Sequence, residues 1–510
     1  MQLVNFLLVS LFANLVLSGR KHPGDDYHKG KHPGGRQQKG SDLLTVAIHA
    51  ENVHDLQEIV RTGHYDFGCR PIAIPTERGD YILPALVTKQ EYEHLKKTNK
   101  CDVQIVFKGV PGDRAAAATI GKGDRFKAGK IAPRGLGSRG KDDNTDLGGI
   151  MNVDEIGSAI DGLVNEYGIP TFSTPFATAE GSGGGGGLVS NVNTSLYHVY
   201  FIAGVHARER GGPDNLIYFI SDLLYAWKHG TGLTYGARSF SNAEVLRALS
   251  TGIVFFPLVN PDGVRFDQAT DSLWRKNRNP ASAVPGNAAS IGVDINRNYD
   301  FLWDFRRFFD PSVATGLTNL ASDDPSEDVF HGTKAFSEPE SRNVAWVFDQ
   351  FPNIRWFLDI HSAAGDMLYS WGDDDNQERQ PSQNFQNSAF DGKRGVLFGD
   401  QVYREYITEA DLNNVVSAAN RTTGAMSSVG GRRYNPQQSV GLYATSGASD
   451  DYAFSRFQVD KSRNKVYGFT MEFGYPTNFY PTTTEFQQNV IDTGAGFMEF
   501  CLAAADLGLV

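Results

Sequence analysis

The chain has 510 residues, enough for two or three domains, and its 40% hydrophobic and 12% aromatic content supports a large packed core and excludes wholesale disorder. A formal net charge of −11 excludes the basic excess expected of a nucleic-acid binder. Three cysteines, Cys69, Cys101 and Cys501, are too few for a disulfide framework and have no zinc-site spacing, although Cys69 and Cys101 could pair in an oxidising compartment.

The chain opens MQLVNFLLVSLFANLVLS. Its apolar run is too short and too early for a spanning helix and predicts a secretory signal peptide over 1–18, with Val16 and Ser18 small enough for cleavage. No later stretch is long and apolar enough to cross a bilayer, so the expectation is a secreted, extracellular protein. The sequons Asn193-Thr194-Ser195 and Asn420-Arg421-Thr422 are compatible with a glycoprotein. Residues 19–42 repeat KHPG at Lys21 and Lys31 and read as a basic low-complexity tail without the apolar residues to fold.

Residues 43–108 predict a small α+β unit. LLTVAIHA reads as a strand, NVHDLQEIVRTG as a short helix, CRPIAIP and DYILPALV as two strands, and CDVQIVF as a closing strand. Between the last two strands, Thr88 and Glu91 form a capping box that opens a second helix. The order βαββαβ is that of a ferredoxin-like sandwich. Residues 109–146 lack apolar periodicity and carry eight Lys/Arg against two Asp over 113–141, so they read as an exposed basic linker that a trypsin-like protease could cut. From 147 to 510, strands at 195–204, 252–259, 354–360 and 466–473 alternate with helices, predicting an α/β domain with a mixed, largely parallel sheet flanked by helices. The glycine-rich run Gly181–Gly187 reads as a floppy surface loop.

Polar residues cluster at the ends of these strands, where open α/β sheets form their sites. His206-Ala207-Arg208-Glu209 follows one strand, His361-Ser362 another, and Glu472 lies near the end of the last. Two histidines and one glutamate make a three-ligand set for catalytic zinc, with one position open for water. A fourth group, for which Glu472 is suited, must then take and deliver the proton.

HARE, LWRKNRN, DINRNYD, DIHS, LYATSGASDDY and FTMEFG occur in this order across about 270 residues, a count on the scale of one large domain. Together they resemble the successive motifs of the secreted zinc carboxypeptidases of the A and B type. The resemblance implies one zinc ion held by His206, Glu209 and His361, with Glu472 as the general base and acid. It implies Arg275 as the stabiliser of developing oxyanion charge, Asn296 and Arg297 as the grip on the substrate's terminal carboxylate, Tyr443 as a mobile tyrosine closing over it, and Arg208 as an outer arginine of the groove. Planar guanidinium groups suit both anionic tasks. The unit at 43–108 resembles the family's pro-domain and the linker its activation segment, implying a zymogen that an activating protease would cut. The expected partners are the C-termini of peptides and proteins. Asp450 stands where B-type enzymes carry an acid, implying a preference for C-terminal Lys or Arg; an A-type apolar preference is the alternative. A zinc amidohydrolase and a non-catalytic peptide binder are further alternatives, the last disfavoured by the presence of Glu472.

Overall fold

The computed structural model describes residues 43–509 apart from 63–64, 66–72, 77–78, 99–100, 109–116, 138–146, 193–195, 315–319, 398–401, 431, 442 and 475–478. The expected signal peptide and basic tail, Cys69 and the sequon at Asn193 lie outside the described residues. Among those described, no helix is long and apolar enough to cross a membrane.

The N-terminal unit contains β1 (Leu43–Ala50), β2 (Ile74–Pro75), β3 (Tyr81–Thr88) and β4 (Asp102–Lys108), paired antiparallel in the order β2-β3-β1-β4. Helices Val53–Thr62 and Lys89–Thr98 follow β1 and β3, which gives the expected βαββαβ succession. Alternate residues Val46, Ile48 and Ala50 of β1 and Leu83, Ala85 and Val87 of β3 share one core with Leu56, Ile59 and Leu95 of the helices, as period-two side-chain alternation requires. The capping box is formed: Thr88 N donates to Glu91 Oε2 at 2.6 Å, and Glu91 N donates to Thr88 Oγ1 at 3.2 Å. Cys101 is a free thiol.

The C-terminal body adds β5 (Thr171–Ser173), β6 (Gly185–Val189), β7 (Val199–Ala203), β8 (Leu233–Tyr235), β9 (Arg238–Phe240), β10 (Ile253–Phe256), β11 (Trp356–Ser362), β12 (Asp366–Tyr369), β13 (Asn376–Gln377), β14 (Glu405–Tyr406), β15 (Asn435–Gln438) and β16 (Tyr467–Phe473). Eight of these form one mixed sheet in the order β15-β12-β16-β11-β7-β10-β6-β5. Its centre, β16-β11-β7-β10, is parallel throughout. Every residue of these four strands is buried, because helices cover both faces. On one face Phe201 of β7 meets Phe219 and Phe497, from helices Gly212–His229 and Thr483–Leu507, at ring-centroid distances of 6.2 and 5.5 Å. On the other, its neighbour Tyr200 meets Phe348 of helix Pro339–Gln350 at 5.1 Å.

Two expectations need correction. The glycine-rich run is not a floppy loop: its second half is β6, paired antiparallel with β10 and β5. Glycine is required there because a Cβ on Gly186 would lie 1.8 Å from Phe255 O, and one on Gly187 would lie 2.5 Å from the Phe255 ring. Nor are residues 117–137 an exposed spacer. Ala118 N donates to Pro481 O at 2.8 Å, Gly137 N to Asp222 Oδ2 at 3.0 Å, and Phe126 is buried. Arg125 pairs with the fully buried Glu155 at 2.7 Å and donates to Gly149 O at 2.9 Å. This strap is held by backbone N–H bonds, by the Arg125–Glu155 pair and by the irregularly spaced apolar residues Ala118, Ile120, Phe126 and Leu136, none of which leaves a regular apolar period in a sequence.

Asp214, in the first turn of helix Gly212–His229, is buried and accepts from Met151 N at 2.8 Å. Burial pushes its carboxyl up to about 7, against the lowering effect of the Met151 bond and the Arg125 charge. A folded value raised above the unfolded one contributes stability that is present at acid pH and lost as pH climbs from about 4 towards 7. Asp214→Asn keeps the acceptor without the charge. Thermal melts at pH 4 and pH 8 are therefore expected to show the variant gaining a few degrees on the parent at pH 8 and little at pH 4. Equal offsets at both pH values would contradict this account of Asp214.

Candidate active site

Three side chains from two strand ends converge. His206 Nδ1 lies 2.6 Å from Glu209 Oε1, His361 Nδ1 lies 2.9 Å from Glu209 Oε2, and the two Nδ1 atoms are 3.0 Å apart. Among the described residues this is the one group of His, Cys, Asp or Glu side chains able to hold a metal ion. His206 and Glu209 come from the turn after β7, and His361 from the end of its neighbour β11, so adjacency in the sheet brings them together.

The outer ring nitrogens have their own partners. His206 Nε2 is 3.1 Å from Asp294 Oδ1, and His361 Nε2 is 2.9 Å from Asp359 Oδ2. The Asp294 hydrogen bond favours the His206 tautomer with its proton on Nε2, which leaves that Nδ1 lone pair facing inward. Tetrahedral zinc with bonds of about 2.0–2.1 Å sets donor atoms roughly 3.3 Å apart. The observed spacings are close to that, and two imidazoles plus one carboxylate are a suitable donor set, so these residues fit the metal. Burial alone would raise the Glu209 carboxyl, but the charges of His206 and His361 and their hydrogen bonds outweigh it and hold it well below the usual carboxylate range. Burial disfavours the charged form of His361, yet Asp359 and Glu209 raise it well above an ordinary histidine. Proton and cation thus compete for the same Nδ1.

Glu472 is the parallel register partner of His361 on β16. Both are buried, and parallel partners present their side chains on one face, which sets the carboxylate beside the three-ligand group. Arg275 donates through Nε and a terminal nitrogen to Asp294 Oδ2 at 3.0 and 2.9 Å, and it stands 4.0 Å from Glu209 Oε1. Asp294 Oδ1 also accepts from Asn296 N at 3.0 Å. Burial would raise Asp294, but Arg275 and His206 overcome this and leave it an anion well below the usual range. One carboxylate therefore orients the metal-motif histidine, the arginine and the Asn296-Arg297 turn.

Asn296 Oδ1 accepts from Ser449 N at 2.8 Å, and Arg297, buried, donates to Asn296 O at 2.7 Å. Arg208 is buried with its guanidinium 4.7 Å from the centroid of the Phe479 ring. Asp450 is fully buried: its Oδ2 accepts from the hydroxyls of Ser439 at 2.8 Å and Thr470 at 3.1 Å, and its Oδ1 from Asp451 N at 3.0 Å. Thr470 precedes Glu472 by two residues on β16, so the Asp450 carboxylate sits one pleat, about 7 Å, further down the same face. Tyr443 is partly buried and packs against the core of the N-terminal unit.

Sequence reasoning passed over Asp294 and Asp359. Both left a signal, because each stands two residues from a residue that was singled out: Asp294 before Asn296, and Asp359 before His361. Two residues on a strand share a face, so the DIHS motif already places its acid and its imidazole side by side.

A family model described as zinc carboxypeptidase matches residues 189–495. Carboxypeptidase B of Astacus astacus is 30% identical over 251 residues, which cover 48% of this chain and 67% of that protein. A protein of Talaromyces marneffei named inactive metallocarboxypeptidase ecm14 is 24% identical over 307 residues, 58% of this chain and 44% of that protein. Among solved structures, carboxypeptidase A from Helicoverpa armigera superposes with a TM-score of 0.60 at 18% identity, covering 92% of this chain and 98% of that one.

Proposed function

The chain belongs to the zinc carboxypeptidase family, and from that premise we propose that it is a secreted metallocarboxypeptidase that removes the C-terminal residue of peptides and proteins. The observation that carries the proposal is the buried group of His206, Glu209 and His361 with Glu472 in register beside it.

When bound, zinc lowers the pKa of a coordinated water towards neutrality and polarises a carbonyl. The protein's own residues supply the rest. His206, Glu209 and His361 would hold the metal, with Asp294 fixing the His206 ring and the Asp359 carboxylate 2.9 Å from His361 Nε2. Glu472 takes a proton from the attacking water and returns it to the leaving amine, a role for which a buried carboxylate at the metal is well placed. Arg275, held by Asp294, is placed to stabilise negative charge developing on the carbonyl oxygen. Arg297 and Asn296 grip the terminal carboxylate, and Tyr443 covers it. The buried Asp450 supports a preference for C-terminal Lys or Arg, because a cationic side chain there meets a desolvated anion.

The contact between Tyr443 and the N-terminal unit supports a zymogen, since a tyrosine packed into that core is withheld from substrate. The unit over 43–108 is read as a pro-domain and 147–510 as the catalytic domain. The signal peptide over 1–18 and the sequons support secretion and glycosylation. The Asn420 side chain is exposed on helix Glu409–Ser428, although Thr422 of that sequon is buried.

One experiment tests the whole reading. Peptides ending in Lys, Arg, Phe, Leu and Glu are offered before and after limited trypsin treatment, with and without a chelator. The expected result is loss of single C-terminal residues, fastest for Lys and Arg, stronger after trypsin, abolished by chelator and restored by Zn²⁺. Chelator-resistant cleavage, or none after trypsin, would remove the proposal, and equal rates before and after trypsin would remove the zymogen.

A further inference from the structure

Arg275 is seated by more than Asp294. The two peptide N–H groups before it are both taken by side chains: Leu273 N donates to the Tyr480 hydroxyl at 2.9 Å, and Trp274 N donates to Asp267 Oδ1 at 2.9 Å. The Arg275 carbonyl accepts from Ala207 N at 3.1 Å, and Ala207 lies between His206 and Glu209 in the chain. The Tyr480 hydroxyl in turn donates to Asp267 Oδ1 at 2.5 Å, so one carboxylate oxygen ties both anchors together.

The loop held by these bonds is one that the backbone otherwise avoids. Asp271 and Leu273 take φ values of 49° and 60°, in the left-handed region that non-glycine residues rarely enter. Such backbone persists where its surroundings over-determine it, and it gathers at functional sites. Leu273 is buried against Phe479 and Tyr480. The other oxygen of Asp267, on helix Pro261–Thr270, accepts from Arg210 Nε at 3.0 Å. Arg210 also donates to Asp267 O at 2.9 Å and to Asp271 Oδ1 at 2.7 Å, and its guanidinium lies 3.6 Å from the centroid of the Tyr480 ring. Arg210 and Asp267 are both buried. Arg210 directly follows Glu209, so the side chain next to a metal-motif carboxylate braces the loop that presents Arg275.

We propose that Arg210, Asp267 and Tyr480 are positioning residues for Arg275, fixing the loop over 271–275 so that its guanidinium stands at the metal group before substrate arrives. The inference rests on the carboxypeptidase reading, which gives Arg275 the developing oxyanion. The guanidinium already lies 4.0 Å from Glu209 Oε1. Charge preorganised in this way acts in the transition state, so a loosened loop lowers kcat and leaves KM nearly unchanged.

The test is a double-mutant cycle on the trypsin-treated full chain, with the peptide that the parent cleaves fastest. Tyr480→Phe removes one hydroxyl from the clamp, and Arg210→Lys keeps the charge without the planar fork. Each is expected to lower kcat about tenfold with KM within about twofold, at parental zinc content. Arg275→Ala alone is expected to lose about 10²–10³ in kcat, the range for one oxyanion donor. In the Arg275→Ala background both changes are expected to cost less than about twofold, because the group they position is gone. A merely structural role would make the single losses multiply. Multiplied losses, or parental kcat in Tyr480→Phe, overturn the proposal. Should Arg275→Ala fail to fold, Arg275→Lys takes its place in the cycle. Amide hydrogen exchange at Leu273 and Trp274 is a readout apart from turnover: it is expected to be faster in Tyr480→Phe than in the parent, and unchanged exchange overturns the clamp. A parent that cleaves no peptide removes the carboxypeptidase reading instead, and the exchange rates then decide whether the loop is held.

Discussion

Glu472→Gln is expected to lower kcat by about 10²–10⁴ on a peptide ending in Lys, the range over which a positioned general base contributes. Glutamine has the same shape, so β16 should pack as before: the residue is buried between β11 and β12, and its carbonyl oxygen still accepts from Gly365 N at 2.8 Å. What is lost is the capacity to take a proton. Metal content and melting temperature should therefore match the parent while turnover collapses, and KM should change little if the carboxylate acts mainly in the transition state. A variant that kept parental kcat would return attention to a non-catalytic peptide binder.

Asp450→Asn is expected to reduce kcat/KM for C-terminal Lys or Arg by about 10²-fold, while a peptide ending in Leu keeps its rate within severalfold. Removing one member of a desolvated charge pair costs about 2–5 kcal/mol, because the partner is left buried and uncompensated. The geometry fixes the Asp450 carboxyl in place. Three donors hold it, and helix Ser449–Val459 begins with it in the first turn, where a negative charge is favoured. Unimpaired cleavage of the Leu peptide is the internal check that the pocket is still folded. Parental enzyme acting only after apolar ends, or an Asn variant with undiminished Lys cleavage, would sink the assignment.

Much of this molecule is legible in its sequence. The central strands are long apolar runs because both faces are covered, and their ends are marked by the change to His, Glu and Arg. The βαββαβ unit could be read from alternation and one capping box. The strap at 117–137 and the glycine strand β6 could not, for related reasons. The strap is secured by backbone hydrogen bonds and by Arg125 reaching Glu155, and the residue types of such contacts look like those of a loop. At β6 the apolar mass that fills the layer belongs to Phe255 of the neighbouring strand, so the glycines register only as missing side chains.

By itself, the sequence marked out which side chains are candidates for the chemistry and how far apart along the chain they lie, because residue type and strand periodicity are local properties. Only the tertiary structure decided how they are charged and which way they face. It made Asp294 the common anchor of His206, Arg275 and Asn296, set Asp450 under Thr470, paired Arg208 with Asp328, and drew Tyr443 against the N-terminal unit. Most of those facts depend on burial and on partners brought together from distant parts of the chain, and electrostatics in a desolvated interior is governed by distance through space rather than along the chain.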